Sequence, residues 1–77
     1  MLIQKLTDRQ AEVMELTCAG LSAIGIAKKL DIMPSSVMSL YRNIYKNYGL
    51  IQNENYDIKM LAVRQYLRNK RIQHEKM

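Results

Sequence analysis

The segment Pro34–Leu50 constrains this chain most, because its apolar residues recur with the period of an amphipathic helix. One apolar stripe is formed by Val37, Tyr41, Ile44 and Tyr48. Pro34 suits a first helical position, since its missing N–H group is one that a helix leaves unpaired. Gly49 follows the last periodic residue, where a left-handed cap is favoured. The segment therefore predicts a helix over about residues 34–48 with one buried face.

The opposite face of this helix is rich in hydroxyl and cationic groups. It carries Ser35, Ser39, Arg42 and Lys46, with Met38 and Asn43 beside them. Such groups are what a helix in a DNA major groove must offer. The alternative interpretation is an ordinary surface helix with a solvated polar face. The segments upstream favour the first interpretation.

Upstream, a first helix is predicted over about residues 8–19. Thr7 and Gln10 have the spacing of a reciprocal capping box. Gly20 stands where this helix should stop. Cys18 is expected to be a small buried hydrophobe, since nothing near it in sequence would activate a thiolate.

A second, shorter helix is predicted over about residues 23–30, with Ser22 as its N-cap. Its apolar face consists of Ile26, Ala27 and Leu30. Residues 31–33 form a turn that leads directly into the helix at Pro34. Two short helices, a tight turn and a third helix make the helix-turn-helix pattern.

Downstream of Leu50, Asn55 is expected to cap a fourth helix over about residues 56–72. Its apolar stripe consists of Tyr56, Met60, Val63 and Leu67, and Leu61, Ala62 and Tyr66 broaden it. The stripe is wider than a three-helix core of this size needs, which suggests a contact with a second copy of the chain. The alternative is that the whole stripe packs inside one monomer. From Arg68 onward the chain is charged and is expected to fray.

Length and charge narrow the class of protein. The 77 residues suffice for one small domain, whose core is marginal unless helices pack well or two chains associate. Residues 1–41 are neutral overall, whereas residues 42–77 hold eight basic groups against three acidic ones. A basic half suits a polyanionic partner, most simply nucleic acid. No apolar run is long enough for a membrane span, and a single cysteine without a signal peptide predicts a cytoplasmic protein.

Enzymatic interpretations find little support in the sequence. His74 is the only histidine and lies in the tail that is expected to fray, so it can orient no nucleophile. No Cys/His cluster has zinc spacing and no glycine-rich loop could hold a phosphate, so no cofactor is expected. Glu12 and Glu15 are expected to be solvated on the first helix. The five tyrosines have helical spacing, which favours core and interface packing over base stacking.

The order of these signals from Leu6 to Leu50 resembles the LuxR/GerE-type helix-turn-helix. That pattern reads approximately LTxRExEVLxLxAxGxSNKEIAxxLxIS and then TVKxHxxxIxxKLxV, and it aligns with this chain without a gap. Region 4 of sigma factors shares the opening, but the junction Gly20-Leu21-Ser22 fits LuxR better. The resemblance implies one all-α, four-helix domain over residues 1–77, like members that consist of the DNA-binding domain alone. Its third helix would enter the major groove and its fourth would mediate dimerisation.

The resemblance also implies roles for individual residues. Ser39, Arg42 and Met38 occupy positions that contact bases in the family, and Arg42 can pair with guanine O6 and N7. Ser36 and Lys46 are expected to contact phosphates. The remaining members of the expected DNA face are Ser35 and Asn43. The dimerisation residues would be Tyr56, Met60, Val63 and Leu67.

The chain departs from the family pattern at several places near the expected DNA face. Apolar residues replace the usual polar or cationic ones at Ile24, Met33, Met38 and Leu40. Two functions therefore remain open. The first is a homodimeric, sequence-specific regulator that binds double-stranded DNA. The second is a LuxR-like protein-binding module that captures RNA polymerase or another regulator without reading DNA.

Overall fold

The computed structural model describes residues 5–75, and these form four α-helices and no strand. The helices are α1 (Asp8–Cys18), α2 (Ala23–Leu30), α3 (Pro34–Asn47) and α4 (Ile58–Glu75). The prediction of an all-α, four-helix domain is confirmed. None of the described helices combines the length and the apolar character that a membrane crossing needs.

Side chains close the N-terminal ends of three helices. At α1, Thr7 Oγ1 accepts from the Gln10 N–H group at 3.1 Å, while Gln10 Oε1 accepts from the Thr7 N–H group at 3.0 Å. This is the predicted capping box. At α2, Ser22 Oγ accepts from the Gly25 N–H group at 3.2 Å, as expected. The predicted cap of the fourth helix is wrong: Asp57, not Asn55, accepts there, with Oδ1 3.1 Å from the backbone nitrogen of Lys59.

The C-terminal ends of α1, α2 and α3 share one geometry. Each is followed by a residue with a positive φ angle: Gly20 at 99°, Asp31 at 57° and Gly49 at 69°. The next residue then donates back across the last turn, for example from the Leu50 nitrogen to the Tyr45 carbonyl at 2.8 Å. The two glycines were predicted to close helices. Asp31 was placed in a turn, but its left-handed backbone was not foreseen.

The core lies where α1, α2 and α3 meet. Its buried apolar side chains are Val13, Met14, Ile26, Ala27, Val37, Tyr41, Ile44 and, from α4, Ala62. The stripe predicted for the third helix is therefore buried as expected, and Tyr48 completes it. Burial also raises the pKa of the Tyr48 hydroxyl to about 12, so this side chain stays neutral at ordinary pH.

Helix α4 packs against α1 and α3, and its length corrects one prediction. It continues to Glu75, so the residues after Arg68, His74 among them, lie in a helix rather than in a frayed segment. Its contact with the core is made by Ala62, which is fully buried, with Tyr66 partly buried beside it. The core-facing side of α4 thus consists of Val63 from the predicted stripe and of Ala62 and Tyr66, which were predicted to broaden it.

Cys18 is exposed, which contradicts the prediction that it is buried. The reason is its position one residue beyond Thr17, at the edge of the core-facing side of α1 and in the last turn of that helix. Partial desolvation, and then the charge of Glu15, raise the pKa of its thiol. The thiol is therefore not activated as a thiolate, as the sequence suggested.

Candidate nucleic-acid interface

Helix α3 presents one continuous outward face. The residues predicted to contact DNA are all exposed there: Ser35, Ser36, Met38, Ser39, Arg42, Asn43 and Lys46. The opposite side of the same helix is held in the core by Val37, Tyr41 and Ile44. Because the two sets alternate with the helical period, burial of one set directs the other into solvent. The structure thus brings the predicted residues together on one surface.

Polar contacts at Tyr41 fix the rotation of α3 about its own axis. The Tyr41 hydroxyl lies 2.8 Å from Thr17 Oγ1, which in turn donates to the Val13 carbonyl at 2.8 Å. Tyr45 stacks on Tyr41, with ring centroids 6.1 Å apart and planes inclined by 4°. Such a network leaves no buried hydroxyl unpaired. The outward face of α3 is consequently held by both packing and hydrogen bonds.

A second polar contact anchors the C-terminal end of α3. Asn47 Nδ2 donates to Gln10 Oε1 at 2.9 Å, the same oxygen that accepts from the Thr7 N–H group. Gln10 is the one buried polar side chain among the described residues. The capping box of α1 therefore also positions α3. The sequence showed the cap but gave no sign of its partner Asn47.

The electrostatics of α3 are simple, because its sequence contains no acidic residue. Arg42 and Lys46 are exposed and take part in neither of the two salt bridges found among the described side chains of residues 5–71. Lys28 and Lys29 are exposed in the last turn of α2, next to the turn that leads into α3. This side of the domain can therefore receive a polyanion without displacing an ion pair of the described part.

The apolar departures from the family pattern fall into two groups. Ile24, Met33 and Met38 keep 60%, 67% and 53% of their surface exposed. Leu40, which was expected near the DNA-facing surface, is instead partly buried against the core. Met33 also precedes α3 without making a side-chain cap. Three apolar side chains are therefore exposed, Ile24 on α2, Met33 just before α3 and Met38 on α3 itself.

The outer side of α4 is a second exposed surface. Met60 and Leu67 retain 55% and 49% of their surface, and their spacing of two helical turns places them on one side of the helix. Val63, by contrast, packs partly against the core. Tyr56 is exposed and lies before the helix begins, so it is not part of the stripe on α4 to which it was assigned. The residues of the predicted dimerisation stripe therefore lie in three places: Met60 and Leu67 on the exposed side of α4, Val63 against the core, and Tyr56 before the helix.

One polar cluster, Glu15, Tyr66 and Lys70, joins α1 to α4. Glu15 Oε2 accepts from the Tyr66 hydroxyl and, at 2.8 Å, from Lys70 Nζ. The Lys70 hydrogen bond, followed by that of Tyr66, lowers the pKa of the Glu15 carboxyl. Desolvation and then the bond to Glu15 raise the pKa of the Tyr66 hydroxyl. Glu15 was expected to be merely solvated; it is exposed, but it connects two helices.

Among the side chains that the structure describes, those of residues 5–71, no group of His, Cys, Asp or Glu is placed to hold a metal ion. Comparison with protein families gives one match: the family model GerE, described as bacterial regulatory proteins of the luxR family, covers residues 4–50. This match spans more than half of the chain and includes α1, α2 and α3. Searches of curated proteins and of solved structures returned no match.

Proposed function

The chain belongs to the luxR family of bacterial regulatory proteins, which are DNA-binding regulators of transcription, and we propose that it reads a specific duplex sequence through α3 as a homodimer. A regulator of bacterial transcription acts on the chromosome, so we place it in the cytoplasm. The family's role is regulatory DNA binding rather than catalysis.

The observation that carries the DNA-reading proposal is the composition of the outward face of α3. It combines two cations, three serine hydroxyls and one amide, with no carboxylate in the helix. Hydroxyl, amide and guanidinium groups pair with base edges and phosphates in the major groove. Arg42 lies one turn beyond Met38 and is assigned to guanine; Lys46, nearer the end of the helix, is assigned to a phosphate.

The homodimer proposal rests on the outer side of α4. Met60 and Leu67 expose apolar surface that the core does not use. A symmetric contact between two copies would bury both side chains twice. Two copies would also present two α3 helices, which suits the paired half-sites of helix-turn-helix dimers. In that arrangement Val63 would lie at the margin of the contact.

A second candidate function is supported by the exposed apolar groups Ile24, Met33 and Met38. Compared with the family pattern, this surface has apolar side chains in place of polar or cationic ones. Such a surface suits the binding of RNA polymerase or another regulator instead of DNA. The two functions predict opposite responses to charge. Met38→Lys should strengthen binding to duplexes of any sequence under the first function, since it adds a phosphate contact. Under the second it should abolish partner binding.

The experiment is a titration of a labelled, randomised duplex pool at about 50 and 200 mM salt. Specific DNA reading predicts enrichment of a subset of sequences and a marked loss of affinity at the higher salt. Protein capture predicts weak duplex binding without enrichment, together with a stoichiometric complex in which no DNA is present.

A further inference from the structure

We infer that Met38 is a specificity-determining residue that reads the C5-methyl group of a thymine in the major groove. This inference rests on the proposed DNA-binding function and goes beyond it by naming one feature of the target. Met38 is the only large exposed apolar side chain on α3. It lies in the N-terminal half of the helix, and in helix-turn-helix proteins that part of the recognition helix contacts base edges.

The chemistry of a thioether leaves few partners at a base edge. Methionine has no hydrogen-bond donor and its sulfur is only a weak acceptor, so Met38 cannot form a strong hydrogen bond with guanine, adenine or cytosine. The major groove offers one apolar group, the C5-methyl of thymine. A flexible, polarisable side chain that is 53% exposed can cover that methyl group without a change in the helix.

The position of Arg42 converts this contact into a sequence pattern. Met38 and Arg42 are four residues apart on the outward face, which corresponds to about 6 Å along the helix. Neighbouring base pairs are separated by about 3.4 Å. If Arg42 pairs with a guanine, the thymine read by Met38 therefore lies within about two base pairs of it. The expected half-site therefore contains this thymine and this guanine at a fixed spacing from each other.

Replacing thymine by uracil removes the methyl group and nothing else. In the duplex selected by the wild-type protein, each thymine is replaced singly by uracil and the dissociation constant is measured by fluorescence anisotropy. One replacement should weaken binding by about fourfold, the equivalent of about 0.8 kcal/mol for one buried methyl group. Cytosine at that position should bind weakly, and 5-methylcytosine should recover part of the affinity, since it restores the methyl group.

Two variants connect the effect to Met38. Met38→Ala should bind thymine and uracil duplexes alike, whereas Met38→Leu, which keeps apolar bulk, should retain the preference. Ile24→Ala is the matched control: it truncates an exposed apolar residue on α2 and should leave the uracil effect intact. An effect of uracil that persists in Met38→Ala overturns the inference.

The inference and the proposed function fail in different ways. Sequence-selective binding that is lost in Arg42→Ala but unchanged by every uracil replacement overturns the role of Met38 and keeps the DNA-reading function. Absence of selection from any duplex pool overturns both.

Discussion

Truncation of Leu67 to alanine should weaken the homodimer while leaving the monomer folded. Leu67 is 49% exposed and does not belong to the side chains that pack against the core. Full burial of a leucine side chain is worth about 1.5–3 kcal/mol, so roughly half of that remains available to a partner. In a symmetric dimer the Leu67 side chains of both copies are buried, so this burial free energy is gained twice. The total is roughly 1.5–3 kcal/mol per dimer.

That free energy corresponds to roughly a tenfold to hundredfold rise in the dimer dissociation constant. Sedimentation equilibrium over a range of concentrations measures it directly. Arg68→Ala, at another exposed position of α4, is the control and should leave the constant unchanged. Val63→Glu is less informative, because Val63 also packs against the core and its replacement can unfold the monomer. The reasoning is refuted if the wild-type protein is monomeric at tens of micromolar, or if Leu67→Ala dimerises as well as the wild type.

Further expectations concern stability. Gly25→Ala should raise the free energy of unfolding by about 0.4–1 kcal/mol, since the added Cβ would meet Leu21 and Ser22 at an ordinary 3.6 Å. Gly20→Val should lower it, because a β-branched residue is strained at a φ angle of 99°; equal thermal midpoints for the two variants would contradict this. The pKa of the Glu15 carboxyl is lower in the folded protein than its unfolded value of 4.5. The ionised carboxylate therefore stabilises the fold above pH 4.5, and this stabilisation is lost as the pH falls through the folded-state pKa. Glu15→Gln should therefore cost under about 1 kcal/mol at pH 7 and flatten the acid limb of the stability curve, which urea titrations at several pH values measure.

Local sequence patterns predicted the first three helices because each carries its own start and stop signals. Thr7, Ser22 and Pro34 mark helix starts, and Gly20 and Gly49 supply the positive φ angles that end α1 and α3. The buried stripe of α3 also followed from spacing, since burial of one face is a property of a single helix. The same spacing predicted which residues of α3 lie on its outward face.

Contacts between distant segments could not be predicted in the same way. The bonds from Gln10 to Asn47 and from Glu15 to Lys70 join residues on different helices, and spacing within one helix contains no information about them. The start of α4 was misplaced because both Asn55 and Asp57 are good capping residues. Placing the start at Asn55 assigned Tyr56 to the helix and so lengthened its predicted apolar stripe.

The most direct test of DNA reading by α3 is competition binding of Arg42→Ala and Lys46→Ala against a randomised duplex pool. Arg42→Ala should cost about 1–3 kcal/mol on the preferred site and relax the preference at one base pair. Lys46→Ala should instead weaken binding to all sequences alike and reduce the salt slope by roughly one. Unchanged affinity and unchanged base preference in Arg42→Ala would contradict the assignment of α3 as the reading helix.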